Sequence, residues 1–162
     1  MEVYFGGAFQ GKLDYVLKKK GNLKVADGRD CDEKRLQSAD VVNHLHLLIQ
    51  RRIAAGESTD TLIDELYAVN PQMILICDEV GSGIVRLERK DRIYREAVGR
   101  VLCAAVAKSD RVERILCGIG QCLKQESAGI SRNYKIARGK PAGGEVVYED
   151  CADSARSNKG KS

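Results

Sequence analysis

A glycine-rich run near the amino end holds the residues best suited to chemistry: Gly6, Gly7, Ala8, Phe9, Gln10, Gly11 and Lys12 fit the pattern G-x-x-x-x-G-K. Glycines in such a run let backbone N–H groups turn inward toward phosphate oxygens. A helix opening at the last glycine adds positive potential, and the lysine reaches the terminal phosphates. The ligand this chemistry takes is a nucleoside triphosphate, GTP or ATP, with Mg²⁺. The position after the lysine normally gives a hydroxyl to the metal, and here it is Leu13, which has no donor atom. Mg²⁺ would then rest on water, phosphates or another side chain. A strand-to-helix turn that binds nothing is the competing reading of the same residues.

Two acidic positions follow apolar runs, Asp27 and the pair Asp78-Glu79. A carboxylate at the end of a parallel strand faces the nucleotide and holds the metal's water shell. Lys12 and Glu79 are accordingly the catalytic candidates, residues 6–13 the nucleotide-binding candidates, and Asp27 the candidate Mg²⁺ ligand through water. Acidic residues at strand ends also serve as caps and turn formers. His44 and His46 fall on an expected helix about 200° apart, so they do not chelate one ion from a single face. They read as hydrogen-bonded structural or surface histidines. The six cysteines form no C-x-x-C pair, which argues for free thiols in a reducing compartment and against a zinc site.

The elements that must hold these residues follow from periodicity. Residues 1–5 read as a strand, residues 13–20 as a helix ending in three lysines and Gly21, and residues 23–26 as a second strand. Ser38 is expected to cap a helix with Val41, Val42, Leu45, Leu48, Ile49 and Ile53 on one face. Ser58 or Thr59 would cap the next, stopped by Asn70-Pro71. Residues 73–77 form an unbroken apolar run of strand length, residues 79–83 a loop, residues 91–108 an amphipathic helix and residues 114–118 a last strand. This order predicts an α/β domain with a P-loop nucleotide-binding fold, a small, mostly parallel sheet with helices on its faces. The domain is expected over residues 1–124, with residues 125–162, rich in Ser, Gly, Lys, Asp and Glu, as a disordered tail.

A formal charge of +4 over 162 residues, without aromatic residues interleaved in a basic stripe, argues against nucleic acid as a partner. No apolar stretch approaches the roughly 18 residues of a membrane span and no signal segment is legible, so a cytoplasmic protein is expected.

Beyond the loop, Glu79-Val80-Gly81-Ser82-Gly83-Ile84-Val85, then Tyr94-Arg95-Glu96-Ala97-Val98-Gly99-Arg100, then Cys117-Gly118-Ile119-Gly120 occur in order. Together with Gly6-Gly7-Ala8 and Gly11-Lys12, this series resembles the bifunctional adenosylcobinamide kinase/adenosylcobinamide-phosphate guanylyltransferase family over about residues 1–124. The resemblance implies a P-loop fold, often oligomeric, with nucleotide and corrinoid as substrates. It also implies phosphorylation of the adenosylcobinamide aminopropanol hydroxyl followed by GMP transfer through a nucleotidyl-histidine. The chain departs from that pattern at Leu13, at Phe9-Gln10 in place of an Arg-Ser pair, and at Arg86 in place of proline. It also lacks an H-x-x-x-R-P-like stretch. A homologue that binds nucleotide or corrinoid without turnover, as a regulatory or partner-binding subunit, is the alternative these departures motivate.

Overall fold

A computed structural model describes residues 1–81 and 88–125. The chain order is β1 (Glu2–Gly6), α1 (Lys12–Lys20), β2 (Val25–Asp27), α2 (Glu33–Gln37), β3 (Val41–Asn43), α3 (Leu45–Ala54), α4 (Leu62–Val69), β4 (Ile74–Asp78), α5 (Arg89–Lys108), β5 (Arg111–Leu116) and β6 (Ile119–Gln125). The strands form one sheet in the order β2-β3-β4-β1-β5-β6. All neighbouring pairs are parallel except β5 and β6. Crossovers between parallel strands need intervening chain, and helices fill it on both faces.

Alternation along β1 sends Val3 and Tyr4 to opposite faces of the sheet, and both are fully buried. Val3, Val42, Leu75 and Val112 pack with Leu45 and Ile49 of α3, Leu62 and Leu66 of α4, and Val98 and Val101 of α5. Tyr4, Val41, Ile74, Ile76 and Ile115 pack on the other face against Val16 of α1, with Leu13 and Tyr15 alongside. The run through β4 is apolar without alternation because both of its faces are covered. Each fully buried Leu or Ile in these layers contributes roughly 1.5–3 kcal/mol relative to exposure.

Several sequence expectations are corrected. Val41 and Val42 lie in β3, not on a helix face: their β-branched side chains fit a strand bonded to β2 on one side and β4 on the other. Ser38 does not open that helix; it closes the short α2, whose N-terminus is capped by the Asp32 carboxylate accepting the Arg35 N–H at 2.7 Å. Helix α4 begins after Thr61, and neither Ser58 nor Thr59 caps it. The last parallel strand ends at Leu116, and Cys117 and Gly118, with φ of 50° and 77°, make the two-residue turn of a β-hairpin into β6. β6 was not anticipated, and it carries the described residues to Gln125. The expected tail beyond residue 125, and Ser82 to Arg86 of the sequence series, lie outside the described residues.

Candidate functional site

The glycine run connects β1 to α1, as a phosphate loop must. Gly6 closes β1 directly against β5: a Cβ there would stand 2.2 Å from the Ile115 carbonyl oxygen, so no other residue fits without moving the sheet. The chain then rises through Ala8 and Phe9, and Gly11, at φ 73° and ψ 26°, turns it into α1. No side chain caps this helix, so its first amides stay available to an anion. The loop is braced from the hairpin. The Cys117 N–H donates to Gln10 Oε1 at 2.6 Å, and the Gly118 N–H donates to the Gln10 carbonyl at 2.9 Å.

Lys12 is only 7% exposed, although its side chain ends in a charge. Its ammonium donates to the Gly7 carbonyl at 2.6 Å and sits 2.7 Å from Asp78 Oδ1. Register explains the pairing: Gly6 and Asp78 are neighbours at the carboxyl ends of β1 and β4. A buried ammonium needs such partners, and phosphate oxygens would replace them.

Both histidines belong to this place, contrary to the expectation of two residues flanking a helical stripe. His44 is not helical; it adopts φ 53° and ψ 46° in the turn between β3 and α3. Its Nδ1 lies 3.0 Å from each carboxylate oxygen of Asp27. His46, in the first turn of α3, is 8% exposed, and its Nδ1 accepts the Asp78 N–H at 3.2 Å. The two rings meet edge to face at 5.7 Å. Burial lowers the His46 pKa and keeps the ring neutral near pH 7. Burial raises the Asp27 pKa, but hydrogen bonds from the Arg29 amide and His44 outweigh it and leave the carboxyl below its ordinary value. Cys77, next to Asp78, is no nucleophile: burial pushes its thiol up to about 12.

These groups share a cleft of about 320 Å³ whose walls include Phe9, Lys12, Leu13, Arg29, His44, His46 and Asp78. A larger groove, about 450 Å³, lies among α2, α3 and α4. Its arginines are already engaged, Arg51 by the Gly28 and Cys31 carbonyls and Arg52 by Glu65, so the smaller cleft is the candidate site.

Ala8, Gln10 and Gly11 line the cleft with Phe9, whose side chain is fully exposed. Leu13 lines it too while packing on the apolar layer beneath α1. Asp27 stands at the end of β2, separated from β1 by β3 and β4, and its carboxylate is engaged by His44. Glu79 turns away from Lys12: its N–H donates to the Gly6 carbonyl at 2.9 Å and its carboxylate lies 3.1 Å from Arg114 Nη2.

Among the described residues no cluster of three or more His, Cys, Asp or Glu could hold a metal unaided. Mg²⁺ bound with nucleotide needs only one or two carboxylates beside phosphates and water. Asp78, 22% exposed and opening into the cleft beside Lys12, fits that donor set. No helix among the described residues is long and apolar enough to cross a membrane.

Compared with known families, residues 34–123 match the profile described as cobinamide kinase / cobinamide phosphate guanyltransferase. The matched segment is more than half of the 162-residue chain and runs from α2 into β6. No curated protein matches the chain.

Proposed function

The chain belongs to the cobinamide kinase / cobinamide phosphate guanyltransferase family, and from that premise we propose that it phosphorylates adenosylcobinamide with GTP or ATP in the cleft between the phosphate loop and Asp78. The observation that carries this reading is the pairing of buried Lys12 with the partly exposed Asp78 at the mouth of an uncapped helix. The amides of residues 6–12 cradle the phosphates, and Lys12 leaves the Gly7 carbonyl for the transferring phosphoryl group. The acceptor hydroxyl oxygen bonds to the γ-phosphorus as the β–γ bridging bond breaks. The hydroxyl proton passes to solvent and a nucleoside diphosphate is released. Mg²⁺, when bound, neutralises charge on the phosphates, and Asp78 is the carboxylate positioned to hold it, by water or directly. Asp27, with both oxygens on His44, is better suited to orienting that ring.

The test is incubation of the protein with GTP or ATP, Mg²⁺ and adenosylcobinamide. Phosphorylated corrinoid above a Lys12→Ala control is expected. A nucleotide-induced rise in melting temperature without any product would instead favour the binding-only alternative that Leu13 motivates.

The Asp27–His44 pair supports the guanylyl half of the family reaction as well. A carboxylate on Nδ1 fixes the imidazole tautomer and leaves Nε2 as nucleophile, the general arrangement of an activated histidine. His44 Nε2 would bond to the α-phosphorus of GTP with loss of pyrophosphate, and the corrinoid phosphate would then take the GMP. A GMP adduct on His44, absent in His44→Ala, is expected by mass spectrometry. Corrinoid product carrying GMP without any histidine adduct would remove this step.

A further inference from the structure

Asp78 has two oxygens and two unlike neighbours. Oδ1 is held by Lys12 at 2.7 Å, whereas Oδ2 lies 3.8 Å from His46 Nε2, too far for a hydrogen bond. The tautomer of His46 is set by the backbone: its Nδ1 accepts the Asp78 N–H, so in the neutral ring the proton sits on Nε2. That N–H is a donor aimed from the cleft wall at Asp78, and its side chain is 10% exposed. Among the described residues Nε2 has no hydrogen-bond partner of its own. A donor so placed gains one when the carboxylate moves by less than about 1 Å.

Such a movement is what ligand binding asks for. Phosphate oxygens that accept from Lys12 compete with Asp78 for the ammonium's three donors, and a carboxylate whose cationic donor is shared gains from another. Position 13, which in a complete loop would share the task of fixing the metal's water shell, is leucine here. We propose that His46 is a positioning residue: as nucleotide draws Lys12 away, the His46 Nε2–H takes over Asp78 Oδ2 and holds the carboxylate toward the phosphates and their Mg²⁺. The chain thereby replaces an orienting contact that Leu13 cannot make. This rests on nucleotide binding at the phosphate loop and adds a residue to it.

Two substitutions separate positioning from mere structure. His46→Asn keeps an acceptor where Nδ1 meets the Asp78 amide but removes the distal donor. His46→Gln extends an amide N–H to the Nε2 position. The readout is the ratio of GTP dissociation constants measured with EDTA and with Mg²⁺, which requires no turnover. We expect this ratio to fall about fivefold or more in His46→Asn and to stay within about twofold of the unmodified chain in His46→Gln. Equal ratios in all three proteins, or loss in His46→Gln with retention in His46→Asn, would overturn the proposal.

Absence of any nucleotide binding by the unmodified chain would fail the phosphate-loop reading itself, and this proposal with it. Should a variant not fold, the two histidines of the chain allow a second measurement. Imidazole ¹⁵N resonances of the unmodified protein should report the Nε2-protonated neutral tautomer of His46, and its Nε2 signal should move when GTP and Mg²⁺ are added together. A signal that does not move contradicts the takeover.

Discussion

Helix α1 carries a lysine–carboxylate pair at each end, and the two pairs are built for opposite purposes. Near its carboxyl end, Lys19 donates to Glu113 Oε1 at 2.6 Å, the Tyr15 hydroxyl donates to Oε2 at 2.8 Å, and the Arg111 Nε–H also donates to Oε1. Glu113 is 1% exposed. Even the neighbouring backbone is shaped to it: a Cβ on Gly120 would meet the Tyr15 hydroxyl at 2.2 Å. At the amino end, Lys12 and Asp78 share one short contact, Oδ2 waits 3.8 Å from a donor, and the pair opens into a cleft. A saturated carboxylate has nothing left to offer a ligand. An incompletely satisfied one, beside a lysine that a phosphate can recruit, is where binding energy can be spent.

The sharpest way to break this contrast is to remove each lysine or carboxylate separately. Lys12→Ala should lower phosphoryl transfer by about 10²–10³-fold, read as initial rate of corrinoid phosphate formation, with little change in melting temperature. Glu113→Ala should do the reverse. It leaves the partly exposed Lys19 and Arg111 without their carboxylate beside a new cavity and should cost about 1–3 kcal/mol in urea unfolding. The rate per folded molecule should remain near that of the unmodified chain.

The saturated end should also respond to acid. Burial pushes the Glu113 pKa up, but hydrogen bonds from Lys19, Tyr15 and Arg111 outweigh it and leave the pKa lowered. A folded pKa below the unfolded one gives stability that is present above about pH 4.3 and lost as pH falls through the folded value. Glu113→Gln should therefore flatten the acid side of the stability–pH curve. The smallest effect is expected at the loop crown. Phe9 adopts φ 58° with its side chain fully exposed, so Phe9→Gly should stabilise the fold by roughly 0.5–1 kcal/mol, measurable in the same urea titration.

How far these two ends were legible from residues alone differs for physical reasons. The phosphate loop was readable because its glycines have stereochemical duties and its lysine follows at a set spacing. β4 was readable because a strand covered on both faces is apolar throughout. The pairing of Lys12 with Asp78, rather than with Glu79 or Asp27, depends on sheet order and on which face each side chain takes, and neither is written in local spacing. His44 and His46 were misread because β3 is three residues long. Val41, Val42 and Leu45 also satisfy a helical period, and so short a strand shows no alternation to contradict it. A β-branched pair ending in Asn43-His44, residue types that tolerate a left-handed turn, was the available signal. β6 escaped because most of its residues are exposed, leaving no buried face to betray it. Cys117-Gly118 alone hinted at the hairpin.

The account is tested most directly by comparing Lys12→Ala with Lys19→Ala in one assay of phosphate transfer from GTP or ATP to adenosylcobinamide, corrected for the folded fraction. The account predicts product from Lys19→Ala near the level of the unmodified chain and almost none from Lys12→Ala. Equal product from the two variants would contradict it.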